Sequence, residues 1–190
     1  MKFWKRPKVW KKLMCTARRR SPWLFHMNSG SCNGCDIEII AALAPRYDAE
    51  QLGVLLQGSP RHADILCVTG PVTNTALDAV KTVYGQVCGP KAVVAIGSCP
   101  ATTNVFIDSR TIDGPLDKHI PVDIFVPGCP PRPDAIIQGV AKAAEILAER
   151  AAKKLPVAPV VMPLVGPGCN GACACSSSCK NEQTASEVQL

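Results

Sequence analysis

The succession of apolar runs along this chain predicts an α/β fold, a doubly wound parallel sheet with helices on both faces. Three observations carry that expectation. Apolar runs of strand length recur at 22–27, 63–69, 91–96 and 122–126, and segments of helical period separate most of them. Glycine and proline punctuate the ends of these runs, as at Pro45 and Gly70-Pro71. Finally, Lys91–Ile96 is continuously apolar after its first residue, the pattern of a central parallel strand buried on both faces.

Taken in order, Pro22–Met27 is short, apolar and aromatic and reads as a buried first strand. A glycine-rich loop leads into a helix over about Asp36–Ala44, with Ile37, Ile40, Ala41 and Ala44 at i, i+3, i+4 and i+7 as its inward face, stopped by Pro45. Leu52–Leu56 fits a second strand or a short helix, and Ala63–Thr69 is a clearer strand. Asn74–Val87 has a helical period, with Ala76, Leu77, Val80, Val83 and Tyr84 on one side and Asn74 or Thr75 as cap. Residues 101–120 are polar and irregular, Val122–Val126 is the last expected strand, and Asp134–Lys154 is a long alanine-rich helix. The expected architecture is flavodoxin-like.

Two extensions flank the predicted domain of residues 21–155. Residues 1–20 hold nine of the 21 Lys and Arg residues and no acid, so the rest of the chain is net acidic although the whole carries +6. Phe3, Trp4, Val9, Trp10, Leu13 and Met14 interleave with those cations around Pro7, reading as an amphipathic arm for a membrane surface or an acidic partner subunit. An arm without a recognition fold is weak support for nucleic acid, which is set aside. Residues 156–190 form a tail rich first in proline and then in cysteine. Arg18-Arg19-Arg20 is followed by no long apolar stretch, so an export signal is not expected, and no run is long enough to span a bilayer. The expected location is the cytoplasmic side of the cell membrane, as a peripheral protein.

Eleven cysteines decide the chemistry. The odd count and the Gly/Pro settings argue against a disulfide framework. Cys32 and Cys35 stand in the loop Ser29-Gly30-Ser31-Cys32-Asn33-Gly34-Cys35 after the first strand, Cys99 follows the Lys91–Ile96 strand, and Cys129 follows the last strand. All four therefore fall at strand C-termini, where open α/β sheets bind their ligands. Cys67 lies within a strand and Cys88 follows a helix, so both are expected to be buried small hydrophobes. Four thiolates suit zinc or a [4Fe–4S] cluster. Zinc ribbons pair two Cys-x-x-Cys knuckles, whereas here one knuckle joins two lone cysteines, which favours the cluster. A non-enzymatic zinc-binding α/β module remains the rival of another class.

These residues also carry a resemblance. Ser21-Pro22-Trp23-Leu24, Cys32-Asn33-Gly34-Cys35-Asp36-Ile37-Glu38, Gly97-Ser98-Cys99 and Pro127-Gly128-Cys129-Pro130-Pro131-Arg132-Pro133 resemble the small subunit of [NiFe] hydrogenases and its relative in respiratory complex I, the subunit carrying the terminal cluster. Complex I members have adjacent cysteines at the first site, so the Cys-x-x-Cys is similar to the membrane-bound, energy-converting hydrogenase branch. The resemblance implies one [4Fe–4S] cluster on Cys32, Cys35, Cys99 and Cys129. It further implies electron transfer from a ferredoxin-like subunit to a nickel–iron centre on a separate large subunit, proton reduction to H2, and membrane subunits contacted through residues 1–20. The alternative within the family is a nickel-free relative acting on sulfur compounds or quinone.

Glu38 is a candidate proton relay or interface carboxylate, set against a simple first-turn acid complementing the helix dipole. Asp36 reads as a first-turn acid only, and His26 as a satisfied core or interface histidine, set against a redox-linked proton acceptor. Arg132, beside Cys129, reads equally as a donor to the cluster or partner and as half of a surface salt bridge. Cys169, Cys173, Cys175 and Cys179 do not match ferredoxin spacing. A thiol-rich tail is favoured there, with a second metal or cluster site as the alternative.

Overall fold

A computed structural model describes residues 20–153 together with Thr16 and Val160–Val161. Of the basic arm expected over residues 1–20, all but Thr16 and Arg20 lie outside the described residues, as do the tail cysteines Cys169, Cys173, Cys175 and Cys179.

The element order is β1 (Trp23–Asn28), α1 (Gly34–Leu43), β2 (Leu55–Leu56), β3 (Ile65–Thr69), β4 (Val72–Thr73), α2 (Leu77–Gln86), β5 (Ala92–Ile96), α3 (Ser98–Thr102), β6 (Ile112–Gly114), β7 (Ile124–Val126), α4 (Pro133–Lys153) and β8 (Val160–Val161). Six strands form one sheet in the order β2-β1-β3-β5-β7-β8, every pair parallel. With the small β4–β6 antiparallel ladder left aside, this is the flavodoxin-like strand order. Strand parity sorts the side chains. Leu24, Ile65, Cys67, Ala92, Val94, Ile96, Ile124 and Val126 pack under α1 and α4. Leu66, Val68, Val93 and Ala95 pack under Val80 of α2 and under Leu116 and Ile120 on the opposite face. Helices thus cover both faces, as expected for strands that are apolar on every residue.

At the strand N-terminal edge, Arg150 of α4 grips buried Asp123. Arg150 Nη1 donates to Asp123 Oδ2 and to the Lys91 carbonyl, both at 2.7 Å, and Nη2 donates to Asp123 Oδ1. Asp123 Oδ2 also accepts from Val93 N–H at 2.8 Å, so the buried charge is fully partnered.

Several expectations are corrected. The inward face of α1 is Cys35, Asp36, Ile39 and Ala42, while Ile37 and Ile40 are 64% and 65% exposed. This helix is apolar on all sides, so period alone does not pick its face. The bonds made by Asp36 set its rotation. Helix α2 begins at Leu77 with Ala76 as a cap that offers no side-chain bond, and Thr73 Oγ1, not Asn74 or Thr75, accepts from Ala76 N–H at 3.3 Å. Cys88 is exposed, because it lies past the end of α2, while Cys67 is buried as expected. Val122–Val126 is not the last strand. Val160–Val161 pairs with β7, an extended apolar pair finding the free edge that the sheet offers. Of the two alternatives for 52–56 the strand is realised, as β2 at Leu55–Leu56, and a 3-10 turn at Ala49–Leu52 precedes it.

Candidate functional site

The site is built where β1, β5 and β7 end. Cys32 and Cys35 follow β1 on the loop that enters α1, Cys99 lies in the first turn of α3 just past β5, and Cys129 follows β7. Cys35 is buried, Cys99 half-buried, and Cys32 and Cys129 are exposed.

Three sets of contacts bring these loops together. Gly97, at φ +103°, has no room for a side chain, because a Cβ there would stand 2.7 Å from Cys35 Sγ. The β5 loop is therefore pressed onto the first knuckle. Ser98 N–H donates to Gly128 O at 2.8 Å, and Gly97 N–H to Val126 O at 2.8 Å, which stitches the Cys99 and Cys129 loops. A Cβ at Gly34 would meet Cys32 Sγ at 3.6 Å and Pro130 Cβ at 3.9 Å, so the knuckle also faces the Cys129 loop.

The β1 loop is held from behind. Ser29 is fully buried, and its Oγ lies 2.9 Å from the carbonyls of both Thr69 and Gly70. Asn28 Oδ1 accepts from the Gly30 and Ser31 N–H groups, each at 2.8 Å, the Asx-type turn that such a residue makes after a strand. Asn33 then takes φ 70° to start α1, and Ile37 N–H donates to its carbonyl at 3.0 Å.

The electrostatics of this corner are those of crowded, partly buried thiols. Burial pushes the Cys35 thiol up to about 12, helped by negative charge at Cys99, Cys32, Asp36 and Cys129. Burial, then the charges at Cys129 and Cys32, likewise raises Cys99. The four sulfurs thus act on one another, and a cationic metal centre would relieve their repulsion and take them as thiolates. Tetrahedral zinc would need sulfurs about 3.8 Å apart, following from its Zn–S bonds of about 2.3 Å. A cubane accepts a wider set, since each sulfur ligates a different iron. Four thiols gathered at one end of the sheet are a donor set that would suit either zinc or a [4Fe–4S] cluster.

The other sequence candidates separate. Glu38 is half-buried one turn beyond Cys35, between the exposed Ile37 and Ile40. Arg132 is exposed, and its carbonyl accepts from Ala135 and Ile136 N–H at the start of α4. His26 is bonded, as expected, with Nε2 2.8 Å from Asp36 Oδ1. Asp36 is in the first turn of α1 as expected, but it is more than a first-turn acid: it is 9% exposed and is the hub of that network. Sequence spacing held one usable signal for this. His26, Asn28 and Thr69 share strand parity and face α1, yet nothing in the period placed Asp36 inward.

Residues 32–143 match the family described as NADH ubiquinone oxidoreductase, 20 Kd subunit. The chain belongs to that family. It is thus an oxidoreductase subunit. A similar relative is the probable membrane-bound hydrogenase subunit mbhJ of Pyrococcus furiosus, 63% identical over 143 residues covering 75% of this chain and 86% of the relative. Formate hydrogenlyase subunit 7 of Escherichia coli is 39% identical over 70% of this chain and 52% of its own length. An NADH-quinone oxidoreductase subunit of Streptomyces griseus is 41% identical over 76% of this chain and 63% of that relative. Among solved structures, a chain of the archaeal membrane-bound sulfane sulfur reductase respiratory complex aligns with TM-score 0.64 and 36% identity, covering 73% of this chain and 76% of that one. A [NiFeSe] hydrogenase chain from Dm. baculatum aligns at TM-score 0.52 and 18% identity over 72% of this chain and 66% of that one, a likeness of fold. Among the described residues, no helix is long and apolar enough to cross a membrane.

Proposed function

We propose that this chain is the electron-transfer small subunit of a membrane-associated [NiFe] hydrogenase, holding one [4Fe–4S] cluster on Cys32, Cys35, Cys99 and Cys129. It relays electrons between a ferredoxin-like subunit and a nickel–iron large subunit that reduces protons to H2. The observation that carries this reading is the convergence of three cysteine loops on one end of the sheet, with Cys35 Sγ against Gly97 and Ser98 bonded to Gly128. The 63% identity to a probable membrane-bound hydrogenase subunit supports the hydrogenase assignment.

Bound there, the cluster supplies one-electron transfer. The chain's own residues do the remaining work. Cys35 and Cys99, whose thiols burial raises, give up their protons on loading. Gly97 leaves the space that Cys35 Sγ occupies, and the Ser98–Gly128 stitch fixes the separation of the two lone cysteines. Exposed Ile37 and Ile40 flank Glu38 on the outward side of α1, a surface suited to docking the large subunit, with Glu38 as the carboxylate that moves protons at that boundary. Residues 1–20 contact membrane subunits, which sets the protein peripherally on the cytoplasmic side.

A second reading is favoured by one observation, the alignment to the sulfane sulfur reductase complex at 36% identity. There the same small subunit would serve a nickel-free large subunit acting on sulfur compounds. Purifying the intact complex anaerobically decides between them. Nickel near one per complex with H2 evolution from reduced viologen supports the hydrogenase; no nickel with sulfur-compound reduction transfers the chain to the second reading.

A further inference from the structure

Asp36 has no part in the roles above, yet its buried carboxylate collects four hydrogen bonds. Oδ1 accepts from Thr69 Oγ1 at 2.5 Å and from His26 Nε2 at 2.8 Å; Oδ2 accepts from Ser31 Oγ at 2.6 Å and from Asn28 Nδ2 at 2.7 Å. Because a carboxylate only accepts, His26 Nε2 carries its proton here. Ser31 Oγ accepts in turn from Asn28 Nδ2 at 2.8 Å and from Asn33 N–H at 3.2 Å. Ser31 is the residue before Cys32 and Asp36 the residue after Cys35, so the Ser31–Asp36 bond closes the loop around the whole knuckle. Thr69 and His26 tie that closed loop to β3 and β1. A carboxylate so surrounded by donors stays ionised.

We propose that Asp36 is a positioning residue that clamps the Cys32–Cys35 knuckle and sets a permanent negative charge beside Cys35, keeping the reduction potential of the bound centre low. This rests on the cluster reading of the four cysteines. Reduction adds an electron to the centre, and a fixed negative charge in a poorly screened corner opposes that addition.

The test is an EPR-monitored redox titration of the intact complex at pH 8, in the wild type and in Asp36→Asn, Asp36→Glu and Thr69→Val. Iron content is measured alongside. Asp36→Asn should keep the iron and move the midpoint potential upward, and Asp36→Glu should bring it back toward the wild type. Thr69→Val removes one donor while keeping the charge, so its potential should stay level or fall. A loop-loosening effect would instead move Asp36→Asn and Thr69→Val in the same direction. An unchanged potential in Asp36→Asn, or a rise in Thr69→Val, overturns the proposal; the Thr69→Val arm decides even where Asp36→Asn fails to assemble. A wild-type complex without iron on this chain overturns the cluster reading itself, a result visible before any variant is compared.

Discussion

Ser98 and Gly128, each the residue before a cysteine, are bonded to one another across the ends of β5 and β7. Ser98 N–H donates to Gly128 O at 2.8 Å, Ser98 Oγ lies 3.2 Å from that oxygen, and Gly128 N–H reaches Ser98 Oγ at 3.3 Å. Ser98→Ala keeps the backbone bond and removes the hydroxyl contacts, leaving Gly128 N–H without that acceptor. The expected cost is about 1 kcal/mol, read as a lower denaturant midpoint at unchanged slope, together with faster loss of iron.

Gly97→Ala should be more damaging to the site. The new Cβ would stand 2.7 Å from Cys35 Sγ on a backbone at φ +103°. A strained residue of this kind costs about 1–3 kcal/mol. The expected outcome is a folded chain by circular dichroism with iron content well below that of the wild type. Full iron retention would mean that Cys35 does not lie against this loop in the loaded protein.

Thiol reactivity in the iron-free chain follows burial. The thiolate is the nucleophile, and a pKa raised to about 12 leaves Cys35 and Cys67 almost wholly protonated at pH 8. Iodoacetamide at that pH should label the exposed Cys32, Cys88 and Cys129 and spare Cys35 and Cys67, as read by peptide mass mapping.

Asp36 also makes a pH prediction for stability. Its carboxyl is held below the ordinary value in the fold, so its contribution is fully present above about pH 4 and is lost as pH falls through the lowered native value. Wild-type stability should therefore fall below pH 4 more steeply than that of Asp36→Asn, measured by urea unfolding of the iron-free chain between pH 3 and 7.

At the far edge of the sheet, Arg150→Ala should leave Asp123 as a buried charge that keeps only the Val93 N–H as donor among the described residues. Breaking such a pair costs about 3–5 kcal/mol. A large loss in unfolding midpoint is expected, with the EPR line shape of any loaded protein unchanged, because this pair lies at the opposite end of the strands from the cysteines.

The parallel α/β architecture, the two-faced helical cover and the sheet-end placement of Cys32, Cys35, Cys99 and Cys129 were legible in the sequence, because apolar runs and the punctuation after them are local signals. The rotation of α1 was not. Ile37, Ile39 and Ile40 offer apolar surface in several directions, and the face is chosen by bonds from Asp36 to Thr69 and Asn28, which lie on two separate strands. The Arg150–Asp123 pair was hidden for the same reason, being non-local. Val160–Val161 was lost among prolines, since a two-residue strand has no period to read.

Metal analysis of the anaerobically purified protein tests the central claim most directly, combined with EPR after dithionite reduction in the wild type and Cys99→Ser. A cluster on the four cysteines predicts about four irons and matching sulfide per chain, with a reduced-cluster signal that Cys99→Ser abolishes or alters. Stoichiometric zinc with no iron and no signal in the wild type would contradict it.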